Sequence, residues 1–156
     1  VDAFALFVAK EPDAFLYFVG KGEDEQNIKD YVASKGLGGR VVLAGVHPLP
    51  VVAEYLNASD IFIMGSFAEG WSTSLVEAVV CAKACVVTDF SSASELIHNG
   101  KNGFVLPDRD ERAFADAMQA AMSLNPAILA DFAVEARAMS VQCMRETLND
   151  ILDFEL

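Results

Sequence analysis

The sequence predicts an α/β fold, a doubly wound parallel sheet followed by a helical carboxyl-terminal tail. Three observations carry this. Short apolar runs of strand length alternate with amphipathic stretches of helix length. The strand runs are almost continuously apolar, as in a parallel sheet covered on both faces. After Leu124 the strand runs stop and only helical periodicity continues.

The elements follow in order. Val1–Lys10 (VDAFALFVAK) reads as a helix whose preceding strand is absent. Strands are expected at Phe15–Val19, Val41–Ala44, Ile61–Met64, Cys85–Thr88 and Phe104–Leu106, each rich in Val, Phe or Ile. Helices are expected at Asp24–Lys35, Val51–Asn57, Ser74–Lys83, Ser92–Asn99 and Arg109–Ser123. Gly36, Gly38 and Gly39 end the helix before Val41, and Asn99-Gly100 with Asn102-Gly103 frame a tight turn. Ser74 with Glu77, and Ser92 with Glu95, match the spacing of a capping box. Ala127–Ser140 and Val141–Phe154 read as two helices. The expected organisation is therefore a unit over residues 1–124, lacking its first strand, and helices over 125–156. The chain opens at Val1 in mid-pattern and reads as a piece of something longer.

Composition narrows the function. Hydrophobic residues make up 53% of the 156 and charged residues 22%, which is a folding composition. The net charge of −12 argues against non-specific nucleic-acid binding and against docking on anionic lipid. A small anion held in a local pocket stays open. The uncharged run Val41–Ala53 is too short to span hydrocarbon and carries Pro48 and Pro50. No basic start precedes an apolar run, so no signal peptide is read. Cys81, Cys85 and Cys143 form no CxxC pair, His47 and His98 stand apart, and reduced thiols are expected rather than zinc.

Ligands of open α/β sheets bind at the carboxyl ends of the strands. Three loops leave such ends: Gly20-Lys21-Gly22, Gly45-Val46-His47, and the small-residue loop from Gly65 to Ser74. The third runs straight into a helix, so amides from Ser72 to Leu75 would face outward at the positive end of the helix dipole. Phosphate or diphosphate suits such a place. Glu69 on the loop and Glu77 one turn into the helix flank it. A carboxylate accepts two hydroxyl hydrogen bonds well, so the pair suits a sugar nucleotide. On spacing alone the plainer readings stand first: Glu77 as capping partner of Ser74, Glu69 as a solvated side chain, Trp71 as a packing residue, His47 as a polar surface residue.

The ordered set shifts that balance. Glu69 and Glu77 form an E-x7-E pair, which resembles the donor-site signature of retaining glycosyltransferases of the GT-B fold, family four. Gly20-Lys21-Gly22-Glu23 resembles the family's Gly-x-Gly loop, and Val41–Gly45 its V-x-x-x-G strand. Ala58-Ser59-Asp60-Ile61-Phe62-Ile63 resembles its Ala-Ser-Asp-hydrophobic strand entry, and Glu69-Gly70-Trp71-Ser72 its Glu-Gly-Phe-Gly or Glu-Gly-Trp-Ser. Glu77-Ala78, Glu95-Leu96-Ile97 and Asn102-Gly103-Phe104-Val105-Leu106-Pro107 also match. The resemblance covers about Val1 to Leu124.

It implies a carboxyl-terminal donor-binding domain of Rossmann-like type. Glu77 would bond the ribose of a UDP- or GDP-sugar, and Glu69, the catalytic candidate, would contact donor-sugar hydroxyls. Amides of Gly70, Trp71 and Ser72 would border the sugar, those of Ser74 and Leu75 the diphosphate, and Gly20, Val46 and His47 the nucleotide. No metal and no further cofactor is implied, because amides and cations meet the leaving diphosphate. The acceptor, a glycan or lipid-linked hydroxyl, would be held by an amino-terminal domain this chain lacks. The placement implied is cytoplasmic, with any peripheral association at the inner membrane face coming through that domain. Neither nucleic acid nor membrane insertion is expected.

Departures bear on these expectations. The family's diphosphate-clasping Arg and Lys would precede Val1, and Lys21 is not their equivalent. Cys81-Ala82-Lys83-Ala84 stands where the family has Cys-Gly-x-Pro, which touches the helix-to-strand turn. Alone, this piece is expected to turn over poorly. The rivals are a scaffold of this fold without its chemistry, a sugar-nucleotide epimerase of GT-B type, and a flavodoxin-like receiver. The last would need an acidic strand end, where Gly20, Gly45 and Gly65 stand.

Overall fold

In the computed structural model, residues 1–91 and 93–153 are described, with side chains as far as residue 139. The elements run α1 (Asp2–Val8), β1 (Leu16–Val19), α2 (Glu25–Ser34), β2 (Val41–Gly45), α3 (Leu49–Ala58), β3 (Ile61–Met64), α4 (Thr73–Val80), β4 (Ala84–Thr88), α5 (Ala93–Leu96), β5 (Gly103–Leu106), α6 (Glu111–Ala121) and α7 (Pro126–Asp153).

All strand pairings are parallel, as the apolar runs demand. They form two ladders, β1-β2 and β3-β4-β5, rather than one continuous sheet. The break falls between β1 and β3. In the common doubly wound order 3-2-1-4-5-6, that is where the strand leading into the first helix lies. The two ladders still share one core. Leu16 and Phe18 of β1, Leu43 of β2, Ile61 and Ile63 of β3 and Val86 of β4 pack on the same side, under Phe4 and Phe7 of α1 and Phe114 and Met118 of α6.

On the other side, Phe62 and Met64 of β3 and Cys85 and Val87 of β4 meet Leu75 and Val79 of α4, Leu96 of α5 and Ala136 of α7. Strand β4 has neighbours on both flanks and helices on both faces, and each of its five residues is buried. The double winding is thus explicit in the packing.

Each boundary has a local cause. Pro48 is the N-cap of α3 and Pro50 sits in its first turn, where a missing N–H costs nothing, so the helix begins two residues ahead of the expected Val51. Gly36 closes α2 in the left-handed conformation, φ 71°, with Leu37 N donating to Val32 O. Gly103 is required by space, because a Cβ there would run into the carbonyl of Cys85 on the neighbouring strand.

Three expectations need correction. The tail is one helix, Pro126–Asp153, and not a pair meeting at Ser140. The run Ala138-Met139-Ser140-Val141-Gln142 holds neither Gly nor Pro, so nothing in it stops a helix. Phe154 lies outside the described residues, as does the Cys143 side chain. Helix α5 is a single turn, because the chain leaves it for the turn held by Asn102. The capping of α4 falls to Ser72 rather than Ser74, since Ser72 holds the extended backbone and accepts from Leu75 N. The Ser92–Glu95 pair lies partly outside the described residues.

Candidate functional site

The candidate site stands where β3 ends and α4 begins. Met64 closes the strand, and the chain crosses Gly65–Ser72 before α4 starts at Thr73. Ser72 is buried. Its hydroxyl donates to Met64 Sδ and accepts from the Leu75 amide, both at 3.4 Å. Ser72 therefore turns inward as a structural cap, and only its backbone is free for a ligand. Leu75 is likewise a core side chain, 0% exposed, with its amide partly engaged. The amides of Thr73 and Ser74 have no acceptor among the described residues. These two carry the open positive end of α4.

Glu77 is half-buried and makes no side-chain hydrogen bond or ion pair among the described residues. With Ser72 as the cap, the third helical residue is Leu75, so Glu77 is not a capping partner. The plain explanation of that carboxylate is gone. Glu69 is half-buried too, but partnered: Ser66 Oγ donates to its Oε1 at 2.8 Å. The solvated reading of Glu69 is corrected accordingly. Trp71 is 55% exposed, so it is not the packing residue that its type suggests. Gly70 holds an ordinary backbone with open space where a Cβ would be.

Sequence reasoning missed three residues around this loop. Thr88 at the end of β4 donates from Oγ1 to the Ser66 carbonyl. Ser91 Oγ lies 2.9 Å from the carbonyls of both Glu69 and Gly70. Arg109, behind β5, stacks its guanidinium over the Phe67 ring and has no ion pair among the described residues. The signal available for Thr88, Ser91 and Arg109 was their place at or just past the carboxyl ends of β4 and β5.

The second group of expected residues lies on the other ladder. Gly20, φ 140°, donates its amide to the Gly45 carbonyl at 2.8 Å, and Gly45 takes φ 77°. These glycines let the two strand ends turn together, as only residues without a Cβ do readily. Val46 is 71% exposed beside them. His47 is not a free surface residue: one ring nitrogen lies 2.9 Å from Ala44 O, and the ring rests on Tyr55 with centroids 5.4 Å apart. The structure brings Gly20, Val46 and His47 together on the β1-β2 edge, and Glu69 through Glu77 on the β3 edge. No described hydrogen bond joins the two groups.

Among the described residues no three of His, Cys, Asp and Glu gather as a metal group, and no helix is long and apolar enough to cross a membrane. Cys81 and Cys85 are free.

Fold and loop together define a doubly wound α/β domain with its candidate site at the carboxyl edge of the strands. The family profile for glycosyl transferases group 1 matches residues 1–139, and the chain belongs to that family. It is similar to the lipopolysaccharide core biosynthesis mannosyltransferase LpsB of Rhizobium meliloti, at 28% identity over 95% of this chain and 47% of that protein. Among solved structures it resembles Anabaena Alr3699/HepE in complex with UDP-glucose, with TM-score 0.79 and 23% identity over 97% of this chain and 43% of that one. It also resembles the carboxyl-terminal domain of the group 1 protein LpcC of Francisella tularensis. There the TM-score is 0.72 and the identity 18%, over 90% of this chain and 75% of that one. At such identities the structural likeness speaks for the fold. The chain spans about half or less of the length of the full relatives it matches.

Proposed function

We propose that this chain is the donor-binding domain of a retaining glycosyltransferase, taking a UDP- or GDP-sugar for transfer to a glycan or lipid-linked hydroxyl. The observation that carries the reading is Glu77, half-buried in the first turns of α4, where neither its carboxylate nor the amides of Thr73 and Ser74 have a partner among the described residues. A carboxylate so placed accepts from a ribose diol while the amides of Thr73 and Ser74 take diphosphate oxygens. Glu69 then meets the sugar, and Trp71 and Gly70 border it. Val46, His47 and Gly20 edge the base.

In the reaction the bond from the sugar's anomeric carbon to the diphosphate breaks, and its electron pair leaves with the phosphate. The acceptor oxygen bonds that carbon on the same face, and its proton passes to the departing diphosphate. Charge develops on the diphosphate, so fixed amides and cations stabilise the step without a metal. Arg109, stacked on Phe67, is a cation at this loop. In the same reading a strand ahead of Val1 fills the break between β1 and β3, an amino-terminal domain holds the acceptor, and the protein works in the cytoplasm.

The test is a calorimetric titration of the chain with UDP, GDP and ADP, repeated on Glu77→Ala. Saturable binding of one of them is expected, weakened about tenfold or more by the substitution, since two charge-assisted hydrogen bonds are lost. Absence of binding both by this chain and by a longer form carrying the upstream strand would sink the reading.

A further inference from the structure

Glu69 is held by hydroxyls arriving from two directions. From within its own loop, Ser66 Oγ donates to Oε1 at 2.8 Å, and the Ser66 carbonyl is itself tied to Thr88 at the end of β4. From beyond β4, Ser91 Oγ reaches the carbonyls of Glu69 and Gly70, each at 2.9 Å. A hydroxyl carries one proton, so Ser91 shares it between two neighbouring carbonyls. That pins the peptide between Glu69 and Gly70. The carboxylate and the backbone that bears it are thus fixed separately.

We propose that Ser66 and Ser91 are positioning residues that preset the Glu69 carboxylate before the donor sugar arrives, with Thr88 anchoring Ser66. This rests on the reading above, in which Glu69 meets sugar hydroxyls. The consequence is chemical as well as geometric. Ser66 takes one acceptor site of Oε1, and Oε2, with no partner among the described residues, faces the ligand in this reading. A loop containing Gly65 and Gly70, neither of them crowded, would otherwise leave a glutamate free to sample many rotamers. Ordering it in advance removes that loss from the binding step. The effect falls on the sugar alone, because the hydroxyls of both serines bond to the Glu69–Gly70 segment and not to α4 among the described residues, while the α4 amides and Glu77 serve the nucleotide.

The experiment compares UDP-glucose with UDP (or GDP-mannose with GDP, whichever base the chain selects) on Ser66→Ala, Ser91→Ala and Ser66→Thr. Each Ala variant is expected to lower the ratio of sugar-nucleotide to nucleotide affinity about three- to tenfold, the worth of one lost hydrogen bond to a charged or pinned group. Affinity for the nucleotide and the midpoint of unfolding should stay put, and Ser66→Thr, which keeps the hydroxyl, should restore the ratio. A ratio unchanged in both Ala variants overturns the inference. So does an equal loss on both ligands together with earlier unfolding, which is the mark of hydroxyls that only hold the loop. Failure of the donor-site reading shows separately, as no binding of either ligand by the unsubstituted chain or by the longer form carrying the upstream strand, and removes the inference with it.

Discussion

The amide of Lys83 donates to the carbonyl of Ala78 at 3.0 Å, closing α4 through a residue, Ala82, that sits at φ 55°. With Ala82 N bonded to Val79 O at 2.9 Å, this is a Schellman closure with alanine in its left-handed position. The helix-to-strand turn therefore survives the replacement of the family's Gly and Pro. Lys83 Nζ adds bonds to the carbonyls of Asn57 and Ser59, tying the turn to the end of α3.

A left-handed Cβ residue is strained by about 1–2 kcal/mol, part of which glycine's larger unfolded-state entropy offsets. Ala82→Gly should therefore stabilise the chain by about 0.5–1 kcal/mol. Urea unfolding should show a higher midpoint at unchanged slope. A lower midpoint would contradict the strain.

Asn102 is buried at 1% exposure, accepting from His98 N and donating to Leu96 O, each at 2.8 Å. Asn102→Ala removes both partners from buried backbone groups and should cost about 2–3 kcal/mol. Chemical denaturation reads this directly. A loss under about 0.5 kcal/mol, the ordinary surface value, would show that water replaces the side chain.

Burial pushes the Cys85 thiol from its ordinary 9.0 up to about 12. The folded state then holds a proton that the unfolded state releases above pH 9. Stability from this group is full below that pH and falls as pH rises towards 12, by up to about 1.4 kcal/mol per pH unit. Cys85→Ala should flatten the alkaline arm of a stability–pH curve, and thiol reagents should reach Cys85 only on unfolding.

Trp71 is exposed and has no ring partner among the described residues. Trp71→Ala should shift stability by less than about 0.5 kcal/mol. On the donor-site reading it should also weaken sugar-nucleotide binding. Melting and titration of the same sample separate the two effects. A large stability loss would return Trp71 to a packing role.

Much of this was legible beforehand. Five strands and the helices between them follow from apolar periodicity, which reports burial on two faces residue by residue. Ile61–Met64 is matched end to end, because Asp60 before it and Gly65 after it are poor strand formers. The E-x7-E spacing was readable for the same reason: it lies within one loop and one helical turn. What failed was of another kind. The cap of α4 depended on which of three neighbouring small residues took the extended backbone, and Ser72 does so while its hydroxyl reaches Met64 on the strand before.

By itself, then, the sequence determined the α/β class, the parallel strands, the family resemblance and the loop of the candidate site. These rest on local periodicity and on spacings of a few residues, which the chain carries wherever it folds. The tertiary structure alone decided the break between β1 and β3, the grip of Thr88 and Ser91 on the Glu69 loop, and the lack of a partner for Glu77 among the described residues. Those relations join residues about twenty apart in the chain, or depend on every neighbour a side chain does not have. Hydrogen bonds form over about 3 Å, and only the folded backbone brings such distant residues within that reach.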